Sequence, residues 1–331
     1  MVERMNNSNY KFKFTLFTPC YCSAKFIDRI KETLDKQTFR DFEWIVINDA
    51  STDNTSELLQ EYIKTVDFPV KFFDLKKNQM LAANYNLAAK NAEGELFVVL
   101  GHDDIYLPDM LQNYNDLYEK YNSPEVCGLV GRCITQYGKI TPSSQFDKPL
   151  MSYWEYGVDS KGNYTGEAPR AIKTDVLLKY MPFDEEEKLN PPIEEMMSCD
   201  GYKFITVDKV VRKYFYANSE NSLTFSANKY RLHTWKRNLM YINKFRYFMP
   251  WPFKRKLKAC LEYAYSSVKL GKSLKEALRA LEQDKFFVTL MYPAAMILGY
   301  VADNKKLHDY IISAMNGHIF PKKKTTSEKG N

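Results

Sequence analysis

Between Phe12 and Tyr121, four short apolar runs alternate with stretches of helical spacing. The runs are FTLF (14–17), EWIVI (43–47), VKFFDL (70–75) and LFVVL (96–100); the helical stretches are AKFIDRIKETLDKQ, TSELLQEYIKTV and MLAANYNLAAKNA. No other feature constrains the fold as strongly. Strands separated by helices of this length form right-handed crossovers, which bring the C-terminal end of every strand to one edge of a parallel sheet. The polar clusters TPCYC, NDASTDNT, KKNQ and GHDD each follow a strand end. They therefore converge on the crevice where open α/β sheets bind ligands.

Further along, the pattern loosens. PSSQFDKP and DSKGNYTGEAPR read as loops, and YKFITVDKVVRKYFY (202–216) reads as a strand behind the acidic patch FDEEEKLNPPIEE. Beyond Ser226 helices dominate: SLKEALRALEQD opens with a capping box from Ser273 to Glu276, and LHDYIISAMNG closes on Gly317. The tail PKKKTTSEKGN reads as disordered. These shifts divide the chain into an α/β domain over 1–225, a helical region over 226–320 and a tail over 321–331.

With 331 residues, 45% of them hydrophobic, the chain can bury one large core or two unequal ones. No charged-then-apolar leader opens it, so a cytoplasmic location is expected. The six cysteines form no C-x-x-C pair and only four histidines accompany them, which supports neither a disulfide framework nor a zinc site. The net charge of +6 is unevenly placed: from Ser226 onward 21 Lys and Arg stand against 7 Asp and Glu, leaving 26 against 34 before it. The two parts are expected to face different partners. Neither the dinucleotide G-x-G-x-x-G nor the P-loop G-x-x-x-x-G-K-[ST] occurs, so the crevice must hold its ligand by other means.

TLFTPCYCSAKFIDRIKETLDKQTFRDFEWIVINDASTDNT, followed by NAEGELFVVLGHDD and LPDML, resembles the family-2 glycosyltransferases. The resemblance is dense over 12–121, patchy over 165–225 and absent beyond. It implies the GT-A fold, an α/β Rossmann-like architecture with a mainly parallel central sheet. It also implies a nucleotide-sugar-binding half over 12–121 and an acceptor-binding half over 122–225.

The residues that the resemblance marks can be followed along the chain. Thr18, Pro19 and Tyr21, at the end of the first strand, are expected to touch the nucleotide. Asp49 stands where the family's base-contacting acid lies; a carboxylate there can accept the imide N–H of uracil. Ser51 is counted with the donor-binding residues, and Asp53 is expected to cap the following helix. Asn78, Asn86 and Ala88 match a pattern in which Met80 and Ala88 replace glycines, with Lys76 or Lys77 as stand-ins for the usual basic residue.

In GHDD the Asp-x-Asp signature aligns with Gly101, His102 and Asp103, so the first acid is lost and the metal-binding one kept. Asp103, with Asp104 beside it, is expected to hold Mn²⁺ or Mg²⁺ on the donor's diphosphate, and His102 to reach the ribose or the metal. Asp104 can equally start a turn ahead of a helix opening near Pro108. For the base that deprotonates the acceptor hydroxyl, NPPIEEMMS offers Glu194 and Glu195 at a helix N-terminus. Glu194 is preferred, with the run 184–187 as an outside candidate.

In the helical region, residues 230–258 interleave Lys and Arg with aromatics, including Trp251 and Phe253 between two prolines. This suits an anionic membrane surface or a helix packed on the catalytic domain; no nucleic-acid motif accompanies the charge. The stretch 286–302 is uncharged but interrupted by Pro293, and reads as a buried helix pair.

The sequence thus predicts an inverting, metal-dependent glycosyltransferase using a nucleoside-diphosphate sugar, most readily a UDP-sugar. Its acceptor is expected to be a glycan or lipid-linked hydroxyl in cell-surface polysaccharide or lipooligosaccharide synthesis, at the inner face of the cytoplasmic membrane. The sequence is compatible with a homo-oligomer. The alternatives are a nucleotidyltransferase on a related sheet and a non-catalytic GT-A binding module.

Overall fold

The computed structural model describes residues 10–215, 230–248 and 252–301. The helix read over 307–317, the tail 321–331, Trp251 and most of YFYANSENSLT (214–224) lie outside the described residues.

The four expected strands form, slightly longer than their apolar cores: β1 (Phe12–Cys20), β2 (Phe42–Asn48), β3 (Val70–Asp74) and β4 (Gly94–Val99). They lie parallel in the order β3-β2-β1-β4. Helices α1 (Ile27–Asp35), α2 (Thr55–Ile63) and α3 (Met80–Asn91) make the crossovers. Every residue of β2 is buried, as a parallel strand covered on both faces requires. Its alternation splits cleanly. Phe42, Trp44 and Val46 join Ile30, Leu34 and Leu59 on one face, and Ile45 and Ile47 meet Ala82, Ala88 and Ala89 on the other.

The second half holds strands that the loose pattern concealed. After β5 (Ile105–Tyr106) and α4 (Met110–Tyr121) come β6 (Val126–Thr135), β7 (Ile140–Thr141), β8 (Leu150–Met151), α5 (Tyr153–Tyr156) and β9 (Arg170–Lys173). They are followed by α6 (Thr174–Leu177), α7 (Ile193–Cys199) and β10 (Lys203–Tyr214), the strand expected over 202–216. The sheet continues from β4 as β9-β6-β10-β5. β9 enters antiparallel to both β4 and β6, while β6 and β10 run parallel. Parallel pairing thus governs the first half, and the second is mixed.

Helices α8 (Arg231–Asn243), α9 (Phe253–Lys269), α10 (Leu274–Ala280) and α11 (Lys285–Val301) form a third cluster around Tyr263, Ala264, Val288 and Ala295. The capping box at Ser273 and Glu276 forms as read. The helix pair expected over 286–302 is instead the one helix α11. Pro293 sits on its exposed side, where the missing N–H and the ring meet solvent rather than packed neighbours. Among the described residues no helix is long and apolar enough to cross a membrane.

Candidate active site

The loops after β1, β2 and β3 are stitched to one another at the C-terminal edge of the sheet. Asn48 donates to Asp74 at 2.7 Å, and the Cys22 and Ser23 amides donate to the Ser51 and Thr55 hydroxyls at 2.9 and 2.8 Å. Asp53 accepts from the Ala24 and Thr55 amides, but the N-cap of α2 is Asn54, one residue beyond the expected cap. Burial pushes the Asp53 carboxyl up; the Thr55 hydroxyl and these amides more than reverse it, leaving it below the ordinary carboxylate range.

Asp49 is only 3% exposed, and its two oxygens accept from the Gln79 and Met80 amides at 2.7 and 2.9 Å. The carboxylate therefore sits on the N-terminus of α3, where the helix dipole favours a negative charge. Asn78 Oδ1 also accepts from the Met80 amide, at 3.1 Å. Met80 itself has φ +71°, the left-handed region where the family pattern has glycine, so a strained non-glycine residue holds this turn. Asn86 bonds the backbone of Phe183 in both directions, tying α3 to the acidic segment.

Thr18 is 1% exposed and its hydroxyl accepts from the Trp44 indole at 3.0 Å. Its side chain belongs to the core, and a ligand in the crevice can meet only its backbone. Tyr21, 39% exposed, stands at the mouth. Pro19 presents its carbonyl to His102 Nδ1 at 3.0 Å; a carbonyl only accepts, so Nδ1 carries the proton and Nε2 is left as an acceptor. Lys76 and Lys77 are exposed, and Lys76 comes no closer to Asp74 than 3.9 Å.

The adjacent acids behind β4 have different partners. Asp104 is 4% exposed; it pairs with Arg212 of β10 at 3.4 Å and accepts from the Phe215 amide at 3.0 Å. Burial pushes its carboxyl up to about 7 against the pull of Arg212, with the Asp103 charge adding to the rise. Asp103, half-buried, takes Arg29 on its backbone carbonyl, and among the described residues no cation pairs with its carboxylate. A Cβ at Gly101 would lie 3.3 Å from Asp103 Oδ1 and 3.4 Å from Asp104 Oδ2, so a third acid there would crowd both.

Beside β4, Arg170 opens β9, which pairs with the end of β4 through Ala171 and Val98. Its guanidinium is ion-paired with Glu194 on α7. Glu195, 3% exposed, meets α8, where the Tyr241 hydroxyl donates to Oε1 at 3.3 Å. Desolvation, then the Glu194 charge, holds Glu195 above the ordinary carboxylate range, with Arg237 opposing. The outside candidates at 184–187 are clamp residues: Asp184 and Glu187 bind Lys236 of α8, Glu187 also faces His233, and Glu185 meets Asn86. Arg170, Arg212, Arg237 and Tyr241 were not marked by the sequence reading. For Arg212 a signal existed, a charge beside the buried Val211 in a strand.

Residues 15–207 match the family described as Glycosyl transferase family 2, more than half of the chain. The chain belongs to that family. Among curated relatives, a teichoic acid poly(glycerol phosphate) polymerase of Staphylococcus epidermidis is 26% identical over 242 residues, 73% of this chain and 28% of the polymerase. The poly(ribitol-phosphate) beta-N-acetylglucosaminyltransferase TarS of Staphylococcus aureus is 28% identical over 130 residues, 38% of this chain and 22% of TarS. The chain thus spans less than half the length of these relatives. The crystal structure of S. aureus TarS 1-349 in complex with UDP-GlcNAc has the same fold, with a TM-score of 0.59, 17% identity and coverage of 90% of this chain and 92% of that one.

Among the described residues no three of His, Cys, Asp and Glu gather as a ligand cluster. A Mg²⁺ or Mn²⁺ ion shared with a diphosphate needs only one or two protein carboxylates. Asp103, beside Gly101 and without a cation on its carboxylate among the described residues, fits that mode. Asp104, the expected second ligand, already has Oδ2 facing Arg212 and Oδ1 accepting from the Phe215 amide.

Proposed function

We propose that this chain is an inverting glycosyltransferase that moves a sugar from UDP to a hydroxyl of a phosphate-rich surface polymer, with Asp103 as its metal ligand and Glu194 as its base. The observation that carries the reading is the division of the paired acids. Arg212 pairs with Asp104 internally, so Asp103 is the carboxylate left without a cation among the described residues, and β9 brings the Arg170–Glu194 pair beside the end of β4. The named relatives support the donor and the polymer.

Asp49, fixed by the amides of α3, is placed to accept from the base of the nucleotide through its remaining lone pairs, with Tyr21 at the mouth. A divalent ion on Asp103 would offset the charge of the departing diphosphate. Glu194 takes the acceptor hydroxyl's proton as that oxygen bonds to the anomeric carbon. The bond from that carbon to the diphosphate oxygen breaks on the opposite face, inverting the centre. Arg170 holds the Glu194 carboxylate in place through their ion pair.

The test is a thermal-shift panel of UDP-, GDP-, CMP- and dTDP-sugars with and without Mn²⁺, followed by turnover of the best donor. A Mn²⁺-dependent shift restricted to UDP-sugars, abolished in Asp103→Ala, is the expected result. No shift with any donor sinks the reading.

A second reading concerns location. Exposed Phe253, Phe286, Leu290 and Ile297 lie at and along the helices α9 and α11. They favour docking on a membrane at its cytosolic face, whereas much of the charge of α8 is already paired inside the protein. Flotation with anionic vesicles, lost in Phe286→Glu with Leu290→Glu, is the expected outcome; unbound protein in every fraction refutes it.

A further inference from the structure

We propose that Tyr241 and Arg237 of α8 are positioning residues for the acid pair of α7, which makes the helical region part of the reaction site. The inference rests on the reading of Glu194 and Glu195 as the acceptor-side acids. Helix α8 lies beyond the residues matched by the family, 15–207, so nothing in that match assigns it a role.

The geometry is specific. Arg237 and Tyr241 stand one turn apart on the same face of α8, with the guanidinium 5.7 Å from the Tyr241 ring centroid. The Tyr241 hydroxyl reaches Glu195 Oε1, and Arg237 acts on the same carboxylate through space. Residues above and below continue the contact: His233 and Lys236 on Glu187, Lys244 on Asp200. Below them, Tyr241 packs edge-on against Phe245, and Trp154 of α5 stacks on Phe248 and meets Phe245. The face of α8 turned to the acceptor half is thus basic where that half is acidic, and Phe245 beyond its end is buried.

Glu194 and Glu195 are neighbours in the first turn of a short helix, so their charges repel. Each is met by an arginine from a different part of the fold, Arg170 from β9 and Arg237 from α8. Without the second cation and the phenol, Glu195 is a buried acid facing the Glu194 charge, with only the weaker pull of Arg170 to oppose it. Relief then comes by turning the first turn of α7, which carries Glu194 with it. A buried carboxylate left without its partners is costly enough to drive such a shift.

The experiment uses the full chain with Tyr241→Phe, which removes one oxygen, and Arg237→Met, with Arg237→Lys as the charge-retaining control. Turnover is read as UDP release from the UDP-sugar selected by the panel, alongside affinity for UDP with Mn²⁺ and Tm. Expected are kcat values lower by about 10- to 100-fold in the first two variants with UDP affinity unchanged, a Tm lowered in Arg237→Met but held in Tyr241→Phe, and recovery of most of the rate in Arg237→Lys. Wild-type kcat in Tyr241→Phe and Arg237→Met overturns the proposal, as does a loss that only tracks UDP affinity and Tm. Glu194→Gln and Glu195→Gln separate it from its foundation. If both keep the wild-type rate, the acid pair is not the base and both readings fall; if they lose it while the α8 variants do not, the positioning role alone falls.

Discussion

On the proposed donor side of the crevice, Asp49 is gripped by the amides at the start of α3; on the proposed acceptor side, Glu194 and Glu195 are gripped by side chains from β9 and α8. The first arrangement needs only successive parallel strands, because the loop after β2 necessarily lies beside the loop after β3. The second needs an antiparallel strand inserted between β4 and β6 and a helix returning from beyond the sheet. Backbone amides are present whatever the side chain, so the donor side tolerates substitutions such as Met80 for glycine. Ion pairs depend on individual residues, so the acceptor side is where single changes should alter the reaction.

The sharpest way to break this contrast is Asp103→Ala, a side chain with no structural partner among the described residues. Turnover should fall about 10³-fold, the scale of a lost Lewis-acid contribution, while Tm holds. Retained turnover would remove the donor side from the chemistry.

Arg212→Met should have the largest effect on stability, about 3 kcal/mol at pH 8 in urea melts, because it strands the buried Asp104. Asp104 in the unfolded chain titrates near the ordinary value of about 4, and in the fold at about 7. Its proton is therefore bound more tightly in the fold, and what it lends to stability is lost as pH rises through about 7. The loss in Arg212→Met should accordingly be smaller at pH 5 than at pH 8; an equal loss would mean that the pairing is not what the substitution removes.

Asp49→Ala should cost about 2 kcal/mol, since two amides at the start of α3 lose a charged acceptor. A cost near zero would show that the donor loop does not depend on this carboxylate.

The smallest effect is expected from Glu195→Gln. Burial, followed by the Glu194 charge, raises the folded pKa of Glu195, so the stability it contributes is present at low pH and declines as pH rises through the folded value. The substitution should flatten that decline in melts across pH 4 to 8, and an unchanged slope would place the carboxylate outside the buried contact with α8.

Much of the donor side was legible before the structure. Asp49, Asn78, His102 and Asp103 follow strands whose apolar runs are unmistakable, and strand ends collect at one edge. The misreadings there concern direction: the Thr18 side chain turns into the core to meet Trp44, and Asp104 turns to Arg212. Strand alternation assigns a face, but which face carries the ligand depends on the helices that cover the other. On the proposed acceptor side the sequence marked the acids Glu194 and Glu195, but not the side chains that hold them.

From the sequence alone came the succession of strands and helices, the edge on which the polar loops gather, and the residue types available there, because periodicity and turn chemistry are local properties. Only the folded chain decided which acid meets a cation. Arg170, Arg212 and Arg237 reach their carboxylates through the insertion of β9, the pairing of β10 with β6 and the docking of α8. Coulomb attraction falls with distance in space, and distance along the chain says little about it.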